Sequence, residues 1–317
     1  MPAHIDSLKL GSDPIITSIA QGVSNFGFVS DLLLPEISVT KSTGKYPIFS
    51  AEHMKIHEAE RAYKDPKVKT MPTDDWSFGT YNLKEYALDI IIDHLEIEAA
   101  ADLVNLEQYY TEKVMESLKL SQEYQRVQLL QNTASYASGH SETLSGNDIW
   151  DDVDSKPLEQ IKDAISTIRS KTAQYPNILV LGLDSYNALQ EHSSLIEKMK
   201  YSQLAVVTED LISAMISTKE NPIQVVVGAG MYKDPVSGEM KDLWGDVAIL
   251  ACVTTKKREQ RSKYESSFGY TFTMSGYPYG ARVETEYGLT KKVAAFMRYQ
   301  AAITKNTAGY LFKNTRT

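Results

Sequence analysis

The sequence predicts an α+β fold: one very long helix acts as a strut beside a projecting hairpin and a compact α/β lobe. Three observations lead there. First, Thr80 to Ser138 contains neither glycine nor proline. Its second half, about Ile97 to Gln131, repeats apolar residues at three- and four-residue spacing. These are Ile97, Ala100, Leu103, Val104, Leu106, Tyr110, Val114 and Leu118, then Val127 and Leu130. Second, two β-prone runs flank a charged stretch from Glu52 to Lys69 that has no apolar cluster able to form a core. Third, helical and buried-strand patterns alternate from Asp151 to Val253.

In chain order, residues 1–40 have weak periodicity and read as an arm that packs on a neighbour, with Leu32–Leu34 extended ahead of Pro35. Tyr46–Phe49 and Asp74–Tyr81 form the legs of a long hairpin, with Lys64-Asp-Pro-Lys67 as a turn. Such a hairpin is not stable alone and needs a partner surface. Glu85–Leu95 reads as a strand leading into the helix. At 1.5 Å per residue the helix would be roughly 50 Å long. Asp102, Glu107, Glu112, Lys113, Glu116 and Lys119 exclude a membrane span. The apolar positions hold a heptad poorly and fade around Ser121–Gln125, which argues against a coiled coil.

Thr133–Gly146 is a loop of small residues, and a helix follows over Asp151–Thr172. Asp154 or Ser155 is its expected cap, with Pro157 in the first turn and Glu159 near the positive end of the dipole. Pro176–Gly182, Ile223–Val227 and Val247–Val253 read as buried strands. Helical segments begin at Asp184, at Leu195 and, capped by Thr208, at about Glu209. Asp234–Gly238 is a turn, and Val293–Phe296 and Tyr310–Phe312 are the closing strands.

Composition narrows the function. A chain of 317 residues with 42% hydrophobic and 23% charged content is an ordinary folded protein. Its net charge of −8 argues against tight nucleic-acid binding through the whole surface. The one dense basic patch, Lys256, Lys257, Arg258, Arg261 and Lys263, reads as a solvated loop face. Nineteen tyrosines against eight phenylalanines suit wide contact surfaces, or reflect compositional drift. The single cysteine, Cys252, sits in an apolar run as a small buried hydrophobe, so no intrachain disulfide forms and a reducing compartment is expected. The N-terminus has no apolar segment of a secretory signal.

No catalytic, cofactor or metal site can be assembled from the sequence. His53 and His57 have helical ligand spacing, but Met54 stands where a zincin has its glutamate. Gly228-Ala-Gly230 opens like a dinucleotide fingerprint, but Lys233 replaces the third glycine and a proline turn follows in place of a helix. Gly139-His-Ser141-Glu-Thr143 lacks the closing glycine and the preceding strand of a nucleophile elbow. Asp148, Asp151, Asp152 and Asp154 lack the central glycine and distal glutamate of a calcium loop. The expectation is a non-enzyme.

The order of arm, hairpin, strand, long helix, α/β lobe and returning strand resembles the major capsid proteins of tailed bacteriophages, with the Hong Kong 97 fold. Motifs across nearly the whole chain carry the resemblance. Glu85-Tyr-Ala-Leu-Asp, Asp93-His and Glu98-Ala-Ala-Ala look like the passage into the family's spine helix, and Leu118-Lys-Leu-Ser-Gln-Glu123 like its later part. Trp150, Pro157-Leu-Glu-Gln-Ile161, Pro176–Gly182, Tyr186-Asn-Ala-Leu189 and His192 form the most recognisable succession. Trp244-Gly245, Gly269-Tyr-Thr-Phe272 and Tyr310-Leu-Phe continue it.

The resemblance implies five parts: residues 1–40, an N-terminal arm; 41–95, the extended hairpin (E-loop) and lead-in strand; 96–172, the P-domain with its spine helix; 173–283, the α/β A-domain; and 284–317, a C-terminal return to the P-domain. It implies inter-subunit contacts at Tyr46, Phe49, Lys64, Lys67, Trp76 and Phe78. The implied partners are other copies of the chain in hexamers and pentamers, a separate scaffolding protein, a portal protein, and double-stranded DNA held without sequence specificity. No membrane or cofactor is implied. The chain would be made in host cytoplasm and end in the virion capsid. No long helical scaffolding extension is expected ahead of the arm, and the initial Met1 favours a separate scaffold. An encapsulin-like nanocompartment shell shares the fold and is the first alternative, distinguished by a neighbouring cargo-enzyme gene. A cytosolic α/β enzyme using residues 173–283 is the second, distinguished by a small oligomer in solution.

Overall fold

A computed structural model describes residues 13–22, 27–48, 56, 77–100, 105–200, 207–284 and 288–316. Helix α1 (Pro14–Gly22) starts at a proline, and Asp13 Oδ1 accepts the Ile15 and Ile16 amides at 2.8 and 3.2 Å. A one-turn helix, α2 (Ser30–Leu33), leads to strand β1 (Glu36–Val39). Leu32 and Leu33 are therefore helical where extended backbone was expected. The reason is tertiary: the Glu123 carboxylate accepts the Val29 and Ser30 amides, each at 3.1 Å, and so caps the turn.

Strands β2 (Thr43–Ile48) and β3 (Ser77–Asn82) pair antiparallel as the base of the expected hairpin. Its tip lies outside the described residues, and with it Phe49, His53, His57, Lys64, Lys67 and Trp76. Strand β4 (Lys84–Asp93) runs into helix α3 (His94–Ala100), and helix α4 spans Leu106–Leu130. The single helix expected from Ile97 to Gln131 is thus two named helices. Asn105 has extended backbone and its side chain accepts the Gln108 amide at 3.2 Å, a cap that starts α4 afresh. The 25 residues of α4 span about 38 Å.

The lobe follows with β5 (Ser141–Thr143), α5 (Pro157–Thr172), β6 (Ile178–Gly182), α6 (Leu183–Glu191), α7 (Ser193–Lys200), α8 (Glu209–Ile216), β7 (Gln224–Gly228), β8 (Met231–Lys233), β9 (Met240–Asp242) and β10 (Ala248–Ala251). Then come β11 (Gly269–Met274), β12 (Tyr279–Glu284), β13 (Thr290–Ile303) and β14 (Gly309–Lys313). Thr208 caps α8 as expected. The cap of α5 is Lys156, with Pro157 at the first helical position. Ser155 does not cap it because its buried hydroxyl meets His192 Nε2 at 3.1 Å, and Asp154 donates its amide to Asp152. Asp184 lies in the first turn of α6, whose cap is Gly182. A Cβ on Gly182 would collide with the Gly245 carbonyl, so the strand-to-helix turn requires glycine there.

Two five-stranded sheets organise the chain. In one, β13 is central, with β4 along one edge and β12 then β11 along the other, and β1 adds parallel to β11. The other has order β5-β14-β10-β6-β7. Residues 284–317 therefore serve both sheets, β13 the first and β14 the second.

The lobe sheet is buried on both faces, which is why β6 and β10 are continuous apolar runs. On one face it packs against Ile161 and Ile168 of α5, Leu189 of α6 and Ile212 of α8. On the other it meets the end of α4, through Val127 and Leu130, together with Leu33, Leu34 and Phe268. Earlier in α4, Val114, Met115 and Leu118 pack on Ala295, Met297 and Tyr299 of β13. Full burial of each large apolar side chain contributes about 1.5–3 kcal/mol. The strut thus joins the two sheets.

Candidate assembly surface

The hairpin base is built from a reciprocal motif. Gly44-Lys-Tyr46 and Gly79-Thr-Tyr81 run antiparallel, so Gly44 faces Tyr81 and Tyr46 faces Gly79. Directly opposed residues share a face. Each tyrosine ring therefore lies over a glycine, and a Cβ on either glycine would run into the ring. Both rings then stack on Phe272 of β11, with centroids at 5.4 Å for Tyr46 and 4.6 Å for Tyr81. Ile37, Val39, Leu83 and Tyr270 complete this cluster. The repeated Gly-x-Tyr was the sequence signal for this packing, and sequence reasoning missed it.

Of the residues expected at a subunit contact, Tyr46 and Phe78 are described. Tyr46 is 8% exposed and belongs to this chain's own core, where burial raises its phenol pKa. Phe78 is 51% exposed, and Ile48 beside it on the hairpin is 42% exposed. Ile48, opposed by Ser77, and Phe78, opposed by Pro47, lie on opposite faces, so each face of the hairpin exposes an apolar side chain where it leaves the body. On β4, Leu88 and Ile91 are also exposed, as is Leu95 at the start of α3. Among the described residues no strand pairs with the outer edge of β4, whose ten residues form a long, open sheet edge. Exposed apolar surface along an unpaired edge is a template for association.

The basic patch is more than a solvated face. Arg258 pairs with Glu36 at 2.9 Å, Arg261 donates to the Glu36 carbonyl at 3.3 Å, Lys256 pairs with Glu265 at 3.3 Å, and Lys263 donates to the Lys45 carbonyl at 3.1 Å. It ties the β10–β11 loop to β1 and to the hairpin base. Periodicity could not have shown this, because the partners on β1 and the hairpin base, Glu36 and Lys45, lie more than 200 residues earlier in the chain.

Beneath this surface, α4 carries a buried polar group. Glu123, 2% exposed, holds the Val29 and Ser30 amides, the Ser30 hydroxyl and Trp244 Nε1, the last at 3.3 Å. Burial raises its pKa, and the hydrogen bonds from Ser30 and Val29 oppose the shift. One turn later Arg126, also 2% exposed, pairs with Asp31 and, at 3.2 Å, with Glu36. The N-terminal segment is therefore clamped to the strut through charge.

The motifs set aside in the sequence have structural roles. Gly228 lies against the Trp244 indole, which a Cβ would strike, and strand β8 follows Gly230. His140 is buried, with Nδ1 3.1 Å from the Gly309 carbonyl, and Ser141 starts β5. Ser155 and His192 are both buried, and His192 Nδ1 meets Ser194 at 2.7 Å where a catalytic histidine would meet a carboxylate. Cys252 approaches the Tyr175 carbonyl, and desolvation pushes its thiol pKa up to about 11. Among the described residues no group of three or more His, Cys, Asp or Glu side chains could hold a metal ion.

Comparison with known proteins agrees with a surface built for association. The family of phage major capsid protein E matches residues 94–267. The major capsid protein of Burkholderia phage BcepMu is 33% identical over 267 residues, 84% of each chain. That of Pseudomonas phage JBD67 is 30% identical over 188 residues, 58% of each chain. A phage-related protein from Bordetella bronchiseptica superposes with a TM-score of 0.79 at 24% identity, covering 96% of this chain and 97% of that one. The capsid of cyanophage P-SCSP1u gives 0.57 at 9% identity over 92% and 90%, a likeness of fold.

Proposed function

Given that this chain belongs to the phage major capsid protein family, whose members are structural and shell-forming, we propose that it assembles into the pentamers and hexamers of an icosahedral head enclosing double-stranded DNA. In this reading the fold is of the Hong Kong 97 type. Residues 1–40 are the arm, 41–95 the E-loop with its lead-in strand, 96–172 the P-domain, 173–283 the A-domain and 284–317 the return.

The observation that carries the proposal is the hairpin base. It is fixed on Phe272 through Tyr46 and Tyr81, and apolar Ile48 is exposed where the hairpin leaves the body, which supports a hairpin that reaches a neighbouring copy. Phe49, Lys64, Lys67, Trp76 and Phe78 contact the neighbouring subunit. Tyr46 acts on that contact by setting the angle of the hairpin. The partners are other copies of this chain, a separate scaffolding protein, the portal and the packaged genome. Assembly takes place in host cytoplasm, and the product is the virion shell. A net charge of −8 suits a shell that surrounds DNA without gripping it.

Native particles test this directly. The expected result is a reconstruction with five- and six-fold capsomers of this chain around nuclease-protected double-stranded DNA. Shells that enclose a protein cargo and no DNA would overturn the genome-enclosing role.

A further inference from the structure

The sheet centred on β13 carries opposite charges at its two ends. At one end Asp93 of β4 lies opposite Thr290 of β13, and α3 continues from it with Glu96 and Glu98. Asp89, Asp93, Glu96 and Glu98 are all exposed there. Lys292 approaches Asp89 at 3.7 Å, so four carboxylates face one lysine and the net charge is −3. Lys291 and Arg282 nearby are balanced by Glu107 and Asp13. Ile91 and Leu95 are exposed among these carboxylates, and among the described residues no strand covers the outer edge of β4.

At the other end the β10–β11 loop carries Lys256, Lys257, Arg258, Arg261 and Lys263. Glu36, Glu259 and Glu265 stand against these five cations, which leaves +2. Arg126, which shares Glu36, is balanced by Asp31. Lys257 forms no ion pair with a described residue, and Lys256, Lys257 and Arg258 are exposed. Tyr264 is exposed beside them, with Lys263 Nζ 5.2 Å from its ring centroid.

The two ends cannot neutralise each other within one chain. Glu36 lies opposite Thr271, and Thr271 opposite Ala301. From Ala301 to Thr290 is eleven residues of β13, or about 36 Å at 3.3 Å per residue. Screening in physiological salt acts over about 8 Å. The loop is also tied to β1, at the edge of the sheet away from β4. A second copy can supply what the first lacks. Setting the β4 edge against its own equivalent would oppose carboxylates to carboxylates, so the complementary arrangement is head-to-tail. A contact between two different patches satisfies every patch when the copies close into a ring.

We propose that the β10–β11 loop of one copy docks on the β4–α3 end of the next, with Lys257 and Arg258 on its carboxylates and Tyr264 against Ile91 and Leu95. This rests on the reading that the chain assembles with itself, and it adds a contact separate from the hairpin. An aromatic and an arginine at the centre of a charged rim are the residue types that carry most of the energy in protein interfaces.

Zero-length carbodiimide crosslinking of assembled particles, read by mass spectrometry, tests the contact. Lys292 with Asp89 and Lys256 with Glu265 are close enough to couple inside one chain and show that the reagent has worked. A bond between Lys256 or Lys257 and a carboxylate within residues 89–98 is expected, and a separation of about 36 Å in one chain makes it a link between copies. Charge exchange gives the second readout. Lys257→Glu and Glu96→Lys should each raise the protein concentration at which half the chain is assembled about threefold, the scale of one exposed ion pair. The double variant should return to within about twofold of the natural chain, which a folding defect would not do. Particles that give both control links but none between the loop and residues 89–98, and that assemble alike in every variant, overturn the contact and leave the shell reading standing. Links from the loop to a co-purified protein in place of β4 and α3 also overturn it. A natural chain that stays monomeric defeats the shell reading and this contact with it.

Discussion

Replacing Glu123 by leucine removes the carboxylate that accepts from three buried N–H donors and from the Ser30 hydroxyl. The Val29 and Ser30 amides and Trp244 Nε1 reach it at 3.1, 3.1 and 3.3 Å. Val29, Ser30 and Trp244 are 6, 0 and 1% exposed, so the donors have no direct access to bulk water. Each stranded donor costs about 1–3 kcal/mol, and relief of the buried carboxylate's desolvation offsets part of the total, leaving roughly 3–5 kcal/mol of lost stability. Urea unfolding of the dilute, unassembled chain, followed by tryptophan fluorescence, measures the loss. Hydrogen exchange at the Val29 and Ser30 amides locates it. A loss below about 1 kcal/mol with unchanged protection at those two amides would refute the capping role.

Glu123→Gln separates charge from hydrogen bonding. Its Oε1 still accepts the three N–H groups, and its amide can donate to the Ser30 hydroxyl. Because the folded pKa of Glu123 is raised, its contribution to stability is fully present below the ordinary value of 4.5 and declines as pH rises through the folded value. The stability of Glu123→Gln relative to the natural chain should therefore grow from acid toward neutral pH.

Glu107 should show the opposite dependence: partial burial raises its pKa, but hydrogen bonds and charge from Lys291 and Arg282 outweigh this and hold it below 4.5, so Glu107→Gln should flatten the stability lost as pH falls through that value in an acid titration of Tm. Phe272→Ala removes the platform under Tyr46 and Tyr81 and should cost about 3–5 kcal/mol. Hydrogen exchange in β2 and β3 should rise well above that in β6. Gly228→Ala drives a methyl into the Trp244 indole and should cost about 1–3 kcal/mol, read as a fall in the urea midpoint.

The features legible in the sequence are those carried by local pattern. The buried run Ile178–Gly182, the Thr208 cap and the alternation along Val293–Phe296 reappear as β6, α8 and β13. The continuous helix fails at Asn105, whose side chain caps a new helix, and the apolar stripe also hides a change of partner between Tyr110 and Val114. Ile97 and Leu106 pack with Ile16, Ile92 and Val293, whereas Val114 to Leu118 pack with Ala295 to Tyr299. A stripe records that a face is buried, not what buries it. The turn at Ser30–Leu33 and the partners of Arg258 and Lys263 depend on residues 93 to more than 200 positions away, beyond any local signal.

Negative-stain electron microscopy of the purified chain, with light scattering alongside, tests the central claim that this protein is built to self-assemble. The account predicts closed shells, or discrete pentamers and hexamers. A strictly monodisperse monomer at high concentration, even with a scaffolding protein supplied, would contradict it.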